Sequence, residues 1–237
     1  ATVIVDGKEI PYQIDDLDGN GTNDELCFLV DLEGKQTKTA TITLSDKAND
    51  KQWKARTFAE MVLRNPKVKE KNKHDIYLSS ITIDKRTTNP YNVLHHHGVA
   101  FESELIAMRI YMDKRQTIDL YGKFHKGLEL EQTQFYTSKE QKAQGYGDDV
   151  LWVGNTFGLG AFRGWNGTEP TLLEDVKHRT QRILTTGPLR TIVEVEDNQW
   201  TITPGAEPVN ATIRYTLYAG HRDFNVDVTL NQDVSAY

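Results

Sequence analysis

Apolar and polar residues alternate in short runs along most of the chain, and turn-forming residues separate the runs. Thr2 to Val5 alternates, Asp6-Gly7 supplies a tight turn, and Ile10 to Ile14 reads as the return strand of a hairpin. Leu26 to Leu32, Thr39 to Leu44 and Ile76 to Ile83 read as further strands. From Lys177 onward the pattern is strand throughout: Arg182 to Thr186, Arg190 to Glu196, Trp200 to Thr203, Ala211 to Tyr218 and Asp223 to Leu230. Gly187-Pro188, Pro204-Gly205 and Ala219-Gly220 punctuate these runs. Short strands with regular turn signals predict an antiparallel sandwich. One stretch reads differently. Asp50 is placed to cap a helix running to about Arg64, with Trp53, Thr57, Phe58, Met61 and Val62 on one face, and Asn65-Pro66 ends it. The expected fold is mainly β, a large antiparallel β-sandwich with one or two short helices. Residues 1–237 form a single domain in this reading, with lead-in strands and a helix over 1–85 and a site-bearing sandwich over 86–237.

The central hairpin carries the most chemistry. Glu104 to Met112 alternates, Asp113 to Gln116 is a turn, and Thr117 to Lys123 answers it. A loop of two or four residues sets Ile110 opposite Asp119, Met108 opposite Tyr121, Ile106 opposite Lys123 and Glu104 opposite His125. One face then gathers Glu102, Glu104, Tyr121, Lys123 and His125. A three-residue loop shifts the register and brings Arg109 and Tyr111 beside that set instead. The pattern leaves both registers open.

Composition narrows the class. A hydrophobic share of 38% and a charged share of 26% describe a globular chain, and 237 residues suffice for a sizeable core. No apolar run approaches the ~20 residues needed to span a bilayer. A net charge of -6 disfavours nucleic acid, although a local cluster of Arg, Lys and His can still hold an anionic sugar. Cys27 is the single cysteine, which excludes an intrachain disulfide, and it reads as buried filler rather than a nucleophile. The chain begins at Ala1, which signal-peptide removal and trimming would both explain. The strand over 224–231 lies close to Tyr237, which is expected of the N-terminal part of a longer polypeptide. Lys67 to Lys73 reads as a solvated basic loop.

Two segments invite a ligand. Asp16-Leu-Asp18-Gly-Asn20-Gly-Thr22-Asn-Asp24 sets oxygen side chains at alternate positions with glycines for sharp turns, which suits calcium at Asp16, Asp18, Asn20 and Asp24. The bidentate Glu of a full EF-hand is replaced by Cys27, and an Asx-rich turn that binds nothing is the plainer reading. Gly145-Tyr-Gly-Asp148-Asp149 and Gly154 to Gly160 are glycine-rich, but no phosphate-loop Lys-Ser/Thr follows. Close backbone approach within a sheet explains those glycines better. Trp152, Phe157, Phe162 and Trp165 form a sugar-stacking wall or simply pack in the core.

The run His95-His96-His97, followed by Glu102, Glu104, Arg109, Tyr111, Tyr121, Lys123 and His125, fits an elimination at a uronic acid. The hydrogen beside a sugar carboxylate is weakly acidic. Removing it requires a cation on the carboxylate, a base for the hydrogen and an acid for the departing oxygen. In an extended strand His95 and His97 point one way and His96 the other, so at least one of the three is packed. Glu102 and Glu104 are alternatively a glycosidase acid and base, or orient a histidine. His95 and His97 with His125 are a weaker zinc candidate.

The run HHHGVAFESELIAMRIYMDKRQTIDLYGK, with PYQIDDLDGNGTNDELCFLVDL before it and GYGDDVLWVGNTFGLGAF after it, resembles a family of secreted proteins. These are encoded in polysaccharide-utilisation clusters of gut and marine bacteria and are known as a domain of unknown function. The resemblance covers most of the chain, and family members are longer. It implies later strands similar to galactose-mutarotase-like sandwiches shared by several polysaccharide lyases. Some members resemble ulvan oligosaccharide dehydratases, which remove water from a terminal uronic acid. By that resemblance His95, His96 and His97 with Tyr121 or His125 supply base and acid. Arg109 or Lys123 holds the carboxylate, and Tyr111, Glu102 and Trp152 line the substrate. The resemblance further implies a secreted or periplasmic location, no required cofactor, and an acidic oligosaccharide as partner. Departure of water makes a dehydratase and departure of the next sugar a lyase. A non-catalytic carbohydrate-binding protein and a glycoside hydrolase are the alternatives.

Overall fold

The structure is a computed structural model that describes residues 1–47, 51–69 and 75–234. In chain order its strands are β1 (Thr2–Val5), β2 (Lys8–Glu9), β3 (Tyr12–Asp15), β4 (Glu25–Phe28), β5 (Ala40–Thr43), β6 (Thr57–Glu60), β7 (Ser80–Asp84), β8 (Gly98–Ser103), β9 (Ile106–Tyr111) and β10 (Ile118–Gly122). Two short helices follow, α1 (Leu130–Thr133) and α2 (Lys139–Ala143). The remaining strands are β11 (Asp148–Asp149), β12 (Gly164–Trp165), β13 (Pro170–Thr171), β14 (His178–Thr186), β15 (Arg190–Trp200), β16 (Val209–Tyr218) and β17 (Phe224–Leu230).

Two five-stranded antiparallel sheets make the sandwich, one ordered β11-β10-β9-β8-β6 and the other β17-β16-β15-β14-β7. Alternation builds the core between them. Val99, Phe101, Met108, Ile110 and Ile118 of the first sheet meet Val193, Val195, Ile213, Tyr215 and Leu217 of the second. The N-terminal strands form a small sheet, β2-β1-β5, and the hairpin β3-β4. Asp6 and Gly7 both take left-handed backbone angles in the turn between β1 and β2, as a two-residue hairpin of this type requires. Gln13 and Asp15 fasten the β3-β4 hairpin to β15. The Gln13 Oε1 accepts from the backbone of Leu189 and Arg190, and Arg190 Nε donates to Asp15 at 2.8 Å.

The helix expected from Asp50 to Arg64 is not there. Asp50 lies outside the described residues, and Thr57–Glu60 is a strand paired with β8. Ala59 and Met61 enter the core between the sheets, while Phe58 and Glu60 turn to the opposite face. Pairing with β8 rewards that two-sided alternation more than helix propensity rewards a coil. Trp200 closes β15 and does not open a strand of its own, and between the two glycine-rich segments Asp148–Asp149 pairs with β10. Within the expected basic loop, Lys67 and Lys69 are exposed, and residues 70–73 lie outside the described set. The glycine-rich segments do approach other backbone closely. A Cβ at Gly147 would lie 1.9 Å from the Gly122 carbonyl oxygen.

The hairpin takes the register with Arg109 opposite Asp119 and Ala107 opposite Tyr121. The alternative pairing of Ile110 with Asp119 is thereby corrected. Arg109, Tyr111, Asp119 and Tyr121 share a face with Glu60, Glu102 and Asp149. That face points away from the sandwich core. Leu130 and Phe135, from the segment that carries the helices, pack over it with Ala100, Ala107 and Tyr121.

Gln181 of β14 ties the two sheets together at the end where the histidines enter. Its Oε1 accepts from Val99 N at 2.8 Å and its Nε2 donates to Ile110 O at 3.1 Å. Gly98 makes room for this, since a Cβ there would lie 1.8 Å from the Ile110 oxygen. We expect Gly98→Ala to cost about 3 kcal/mol, because the obstacle is backbone that cannot rotate away. Gly34→Ala, where a Cβ meets nothing within 4 Å, should change stability by about 0.5 kcal/mol or less. Urea denaturation of both variants measures this, and equal losses would contradict the close approach.

Candidate functional site

The three histidines do not form a strand. Residues 95–97 make a tight 3₁₀ turn in which His96 (φ 56°) and His97 (φ 61°) both adopt left-handed backbone angles. Two adjacent non-glycine residues in this region carry a backbone cost that surrounding contacts must hold. The expected alternation of His95 with His97 is therefore replaced by three different environments. His95 is half-buried at the turn's start and its backbone N–H donates to Val62. His96 is buried, with Nε2 2.7 Å from Glu60 Oε1 and its ring edge-on to Phe135. His97 faces the polar side of the first sheet.

His97 stacks on Tyr91, with centroids 3.7 Å apart and planes 8° from parallel, and meets Tyr111 edge-on. Its Nδ1 lies 3.0 Å from the Tyr91 carbonyl oxygen and 3.3 Å from Arg64 Nη2. A carbonyl can only accept, so the shorter contact places the proton on Nδ1 and leaves the lone pair on Nε2. That Nε2 lies 3.5 Å from Tyr136 Oη. Burial first, then the nearby Arg109 and Arg64 charges, hold the His97 pKa down at about 4, against the Tyr91 carbonyl, which raises it.

Tyr136 Oη in turn accepts from Arg109 Nη2 at 3.0 Å. Arg109 is the centre of this cluster. Its Nε and Nη2 reach Asp119 Oδ2 at 2.9 and 2.5 Å, Asp149 Oδ2 lies 3.5 Å away, and the guanidinium sits 4.2 Å from the Phe135 ring centroid. Burial opposes its charge, and Tyr136 and Asp119 outweigh that and raise its pKa. Tyr111 donates to the same Asp119 oxygen at 3.0 Å, and burial pushes its phenol well above the usual range. Burial and the Asp119 charge also raise Asp149. Arg109 is almost wholly enclosed, whereas Tyr136 is 44% exposed, so the tyrosine brings the cluster to the surface. Arg115 lies over both Tyr91 and Tyr111, 4.9 Å from each centroid.

Other expected residues belong elsewhere. Lys123 spends its three donors on Glu102, Ser103 O and Gly127 O, and Glu102 also accepts from the backbone of Glu129 and Leu130. Burial raises the Glu102 pKa, and Lys123 opposes that. These two side chains anchor the covering segment and present nothing to a ligand. Tyr121 is fully buried and donates to Glu129 at 2.7 Å, with its phenol raised by burial. His125 is exposed beside Gly145, and Trp152 is 94% exposed. Among the described residues no ring contact joins Trp152, Phe157, Phe162 and Trp165 into a wall; Phe162 instead packs edge-on against buried Trp200. Glu104 pairs with Arg56 and does not face His125. His95, His97 and His125 form no metal-ligating group among the described residues.

The acidic turn is better placed for a cation. Oxygens of Asp16, Asp18 and Asp24 lie within 4.8 Å of one another. Each also accepts local N–H groups, and the Asp16 pKa is lowered chiefly by the Gly21 N–H. Asn20 turns aside, donating to Asp18 and accepting from Thr22 N.

Sequence reasoning missed Tyr91, Tyr136, Asp119, Asp149, Arg64 and Arg115. Asp119 was within reach, since it faces Arg109 in the odd register. Tyr91 and Tyr136 carry no local signal, because each meets His97 from a separate loop. Two recesses lie outside this cluster. One of about 410 Å³ has Tyr91 in its wall, and an open groove of about 780 Å³ runs between Tyr12, Trp53 and Pro188.

The fold and this cluster define an antiparallel β-sandwich protein with a buried arginine-carboxylate centre that reaches the surface through a histidine and two tyrosines. The chain belongs to the family described as Domain of unknown function (DUF4861), whose model matches residues 1–237. No curated protein and no solved structure matches it.

The depressed His97 pKa has a defined sign. Between pH 6.5 and about 4 the unfolded chain takes up a proton at this position that the folded chain refuses. The contribution to stability is fully present above pH 6.5 and is lost as pH falls toward 4. An NMR titration of the His97 ring should give a midpoint near 4, and His97→Gln should flatten the loss of stability across that window. A midpoint at 6 or above would remove the basis for a neutral, enclosed imidazole.

Proposed function

We propose that the protein is a carbohydrate-active enzyme that eliminates water or a glycosidic leaving group from a uronic acid at the end of an oligosaccharide, such as an ulvan fragment. It acts outside the cytoplasm in this reading, on a sandwich of the galactose-mutarotase-like kind. The observation that carries the proposal is the chain His97 Nε2, Tyr136 Oη, Arg109 Nη2, with spacings of 3.5 and 3.0 Å and an exposed tyrosine at its middle.

The residues divide the work as follows. Arg64 and Arg115, whose guanidinium groups flank the His97–Tyr91 stack, hold the substrate carboxylate and take up the charge that grows there. His97 Nε2, unprotonated above pH 4, removes the hydrogen from the carbon beside the carboxylate. The electron pair of that C–H bond becomes the new C=C bond, and the oxygen on the neighbouring carbon departs with its bonding pair. Tyr136 gives that oxygen its proton, so it leaves as water or as an alcohol. The imidazolium then returns its proton to the tyrosine across their contact. Arg109 stays paired with Asp119 and stabilises charge on the tyrosine oxygen during the transfer. Tyr136 thus replaces Tyr121 and His125 as the acid, and Arg64 and Arg115 replace Arg109 and Lys123 as carboxylate holders.

Ultraviolet absorbance of the conjugated unsaturated carboxylate, with mass spectrometry of the products, tests this on uronate-terminated oligosaccharides. Loss of water identifies a dehydratase and chain cleavage a lyase. His97→Gln and Tyr136→Phe should each lower kcat by about 100-fold or more while the fold is retained. Binding of the same sugars without any absorbance rise would favour the non-catalytic reading, in which exposed Trp152 serves as a stacking surface.

A structural calcium at Asp16, Asp18 and Asp24 is part of the same proposal, because it would neutralise three carboxylates on one turn. Calcium should raise the melting temperature of the intact protein, and Asp16→Asn should abolish the rise. An unchanged melting temperature at saturating calcium would rule the site out.

A further inference from the structure

The recess beside Tyr91 has no role in the elimination chemistry. It is lined by the segment after β7, with Thr87, Thr88 and Asn89, by the turn between β9 and β10, and by Glu174, which pairs with Lys114 of that turn. Ile83, Pro90 and Val176 give it apolar patches, and Tyr91, whose ring stacks on His97, belongs to its lining. At about 410 Å³ it falls in the size range of small-ligand sites, roughly 300–1,000 Å³.

Its electrostatics select the ligand class. Asp84, Asp113 and Glu174 contribute three carboxylates, and Lys85, Lys114 and Arg179 three cations, so the formal charges cancel. Lys114 is paired with Glu174, Asp113 with Arg115, and buried Arg179 with Asp197. An anion would find no net attraction here. A neutral ring with several hydroxyl groups would find short hydroxyl and amide side chains together with an aromatic residue and apolar carbon in the lining. That mixture matches the two faces of a sugar, whose C–H face packs on apolar surface while its hydroxyls exchange hydrogen bonds.

The recess also adjoins the proposed reacting site. One face of Tyr91 packs on His97 at 3.7 Å, and the residue also lines the recess. A uronate held at His97 by Arg64 and Arg115 is therefore separated from the recess by little more than one ring. We infer that this recess is a subsite for the neutral sugar joined to the reacting uronate. The inference rests on the elimination reading for which sugar reacts. It makes the substrate at least a disaccharide, with the charged ring at the histidine and an uncharged ring in the cleft. The reaction that supplies such a substrate is then a depolymerising step that leaves a uronate at one chain end.

Amide NMR on the isotope-labelled intact protein tests it, with xylobiose and cellobiose as neutral probes and glucuronic acid as the charged one. The neutral disaccharides should shift the amides of residues 84–91 and 113–114 saturably. Thr88→Trp, which adds bulk to the cleft lining from an exposed position, should weaken that binding about tenfold with melting temperature unchanged. Glucuronic acid should instead perturb the surroundings of His97. No saturable shift at the cleft with either neutral probe overturns the proposal, as does glucuronic acid moving the cleft amides as strongly as the disaccharides. This readout needs no turnover. Neutral sugars that occupy the cleft of a protein inactive on every uronate would support the subsite and sink the elimination. A protein that turns over uronates with a silent cleft would do the reverse.

Discussion

Arg109 carries a full positive charge into a place closed to water, and the surrounding structure is arranged to tolerate it. Asp119 sits directly across the strand pair and takes two of its N–H groups. Removing one partner of such an enclosed pair leaves the other uncompensated, at a cost of about 3–5 kcal/mol. That penalty makes the odd register of the β9-β10 hairpin the stable one. A slip by one residue would turn Asp119 to the apolar core and leave the guanidinium alone. The same pair fixes Tyr111 through its hydroxyl and draws Phe135 and Tyr136 over the guanidinium face.

The first sheet thus has two buried faces of opposite character. One is apolar and meets the second sheet; the other is crowded with charge and lies under the segment that carries α1 and α2. Glu102 and Lys123 hold one part of that cover, Tyr121 and Glu129 another, and Arg109 with Tyr136 the part nearest the surface. At this last place the half-exposed Tyr136 brings the polar layer to solvent, and the strained His97 stands beside it. The left-handed turn at His96 and His97 is held on one side by the His96–Glu60 contact and on the other by the Tyr91 stack. Strain held this firmly is what a site needs if a ring nitrogen must face a hydroxyl in a set orientation.

The proposed chemistry uses a neutral imidazole, an exposed phenol and two rim arginines. It therefore places ordinary side chains in unequal surroundings. Burial keeps His97 unprotonated, while Arg64, which helps lower its pKa, lies where a substrate carboxylate would neutralise it. The neighbouring recess is balanced in charge and so complements this cationic edge with room for an uncharged ring.

By itself the sequence determined that the chain is an antiparallel β protein. Strict alternation after residue 177 admits few other folds, and Asp6-Gly7 suits a tight hairpin turn. It also pointed to the His95–His97 run and to Arg109 and Tyr111 as the chemically dense stretch, since such residues rarely cluster without cause. It did not determine the strand at Thr57–Glu60, because short apolar spacing serves helix and strand alike until a partner strand is present. Nor did it determine which histidine faces the polar layer, since left-handed angles at His96 and His97 come from contacts with Glu60 and Tyr91, distant in sequence or set in another turn. The tertiary structure alone decided that Lys123, Glu102 and Tyr121 are spent inside the fold, and that Tyr91 and Tyr136 replace them beside His97. The reason is physical: a side chain's usefulness depends on which of its donors and acceptors are already taken. That is settled only when distant segments of chain come together.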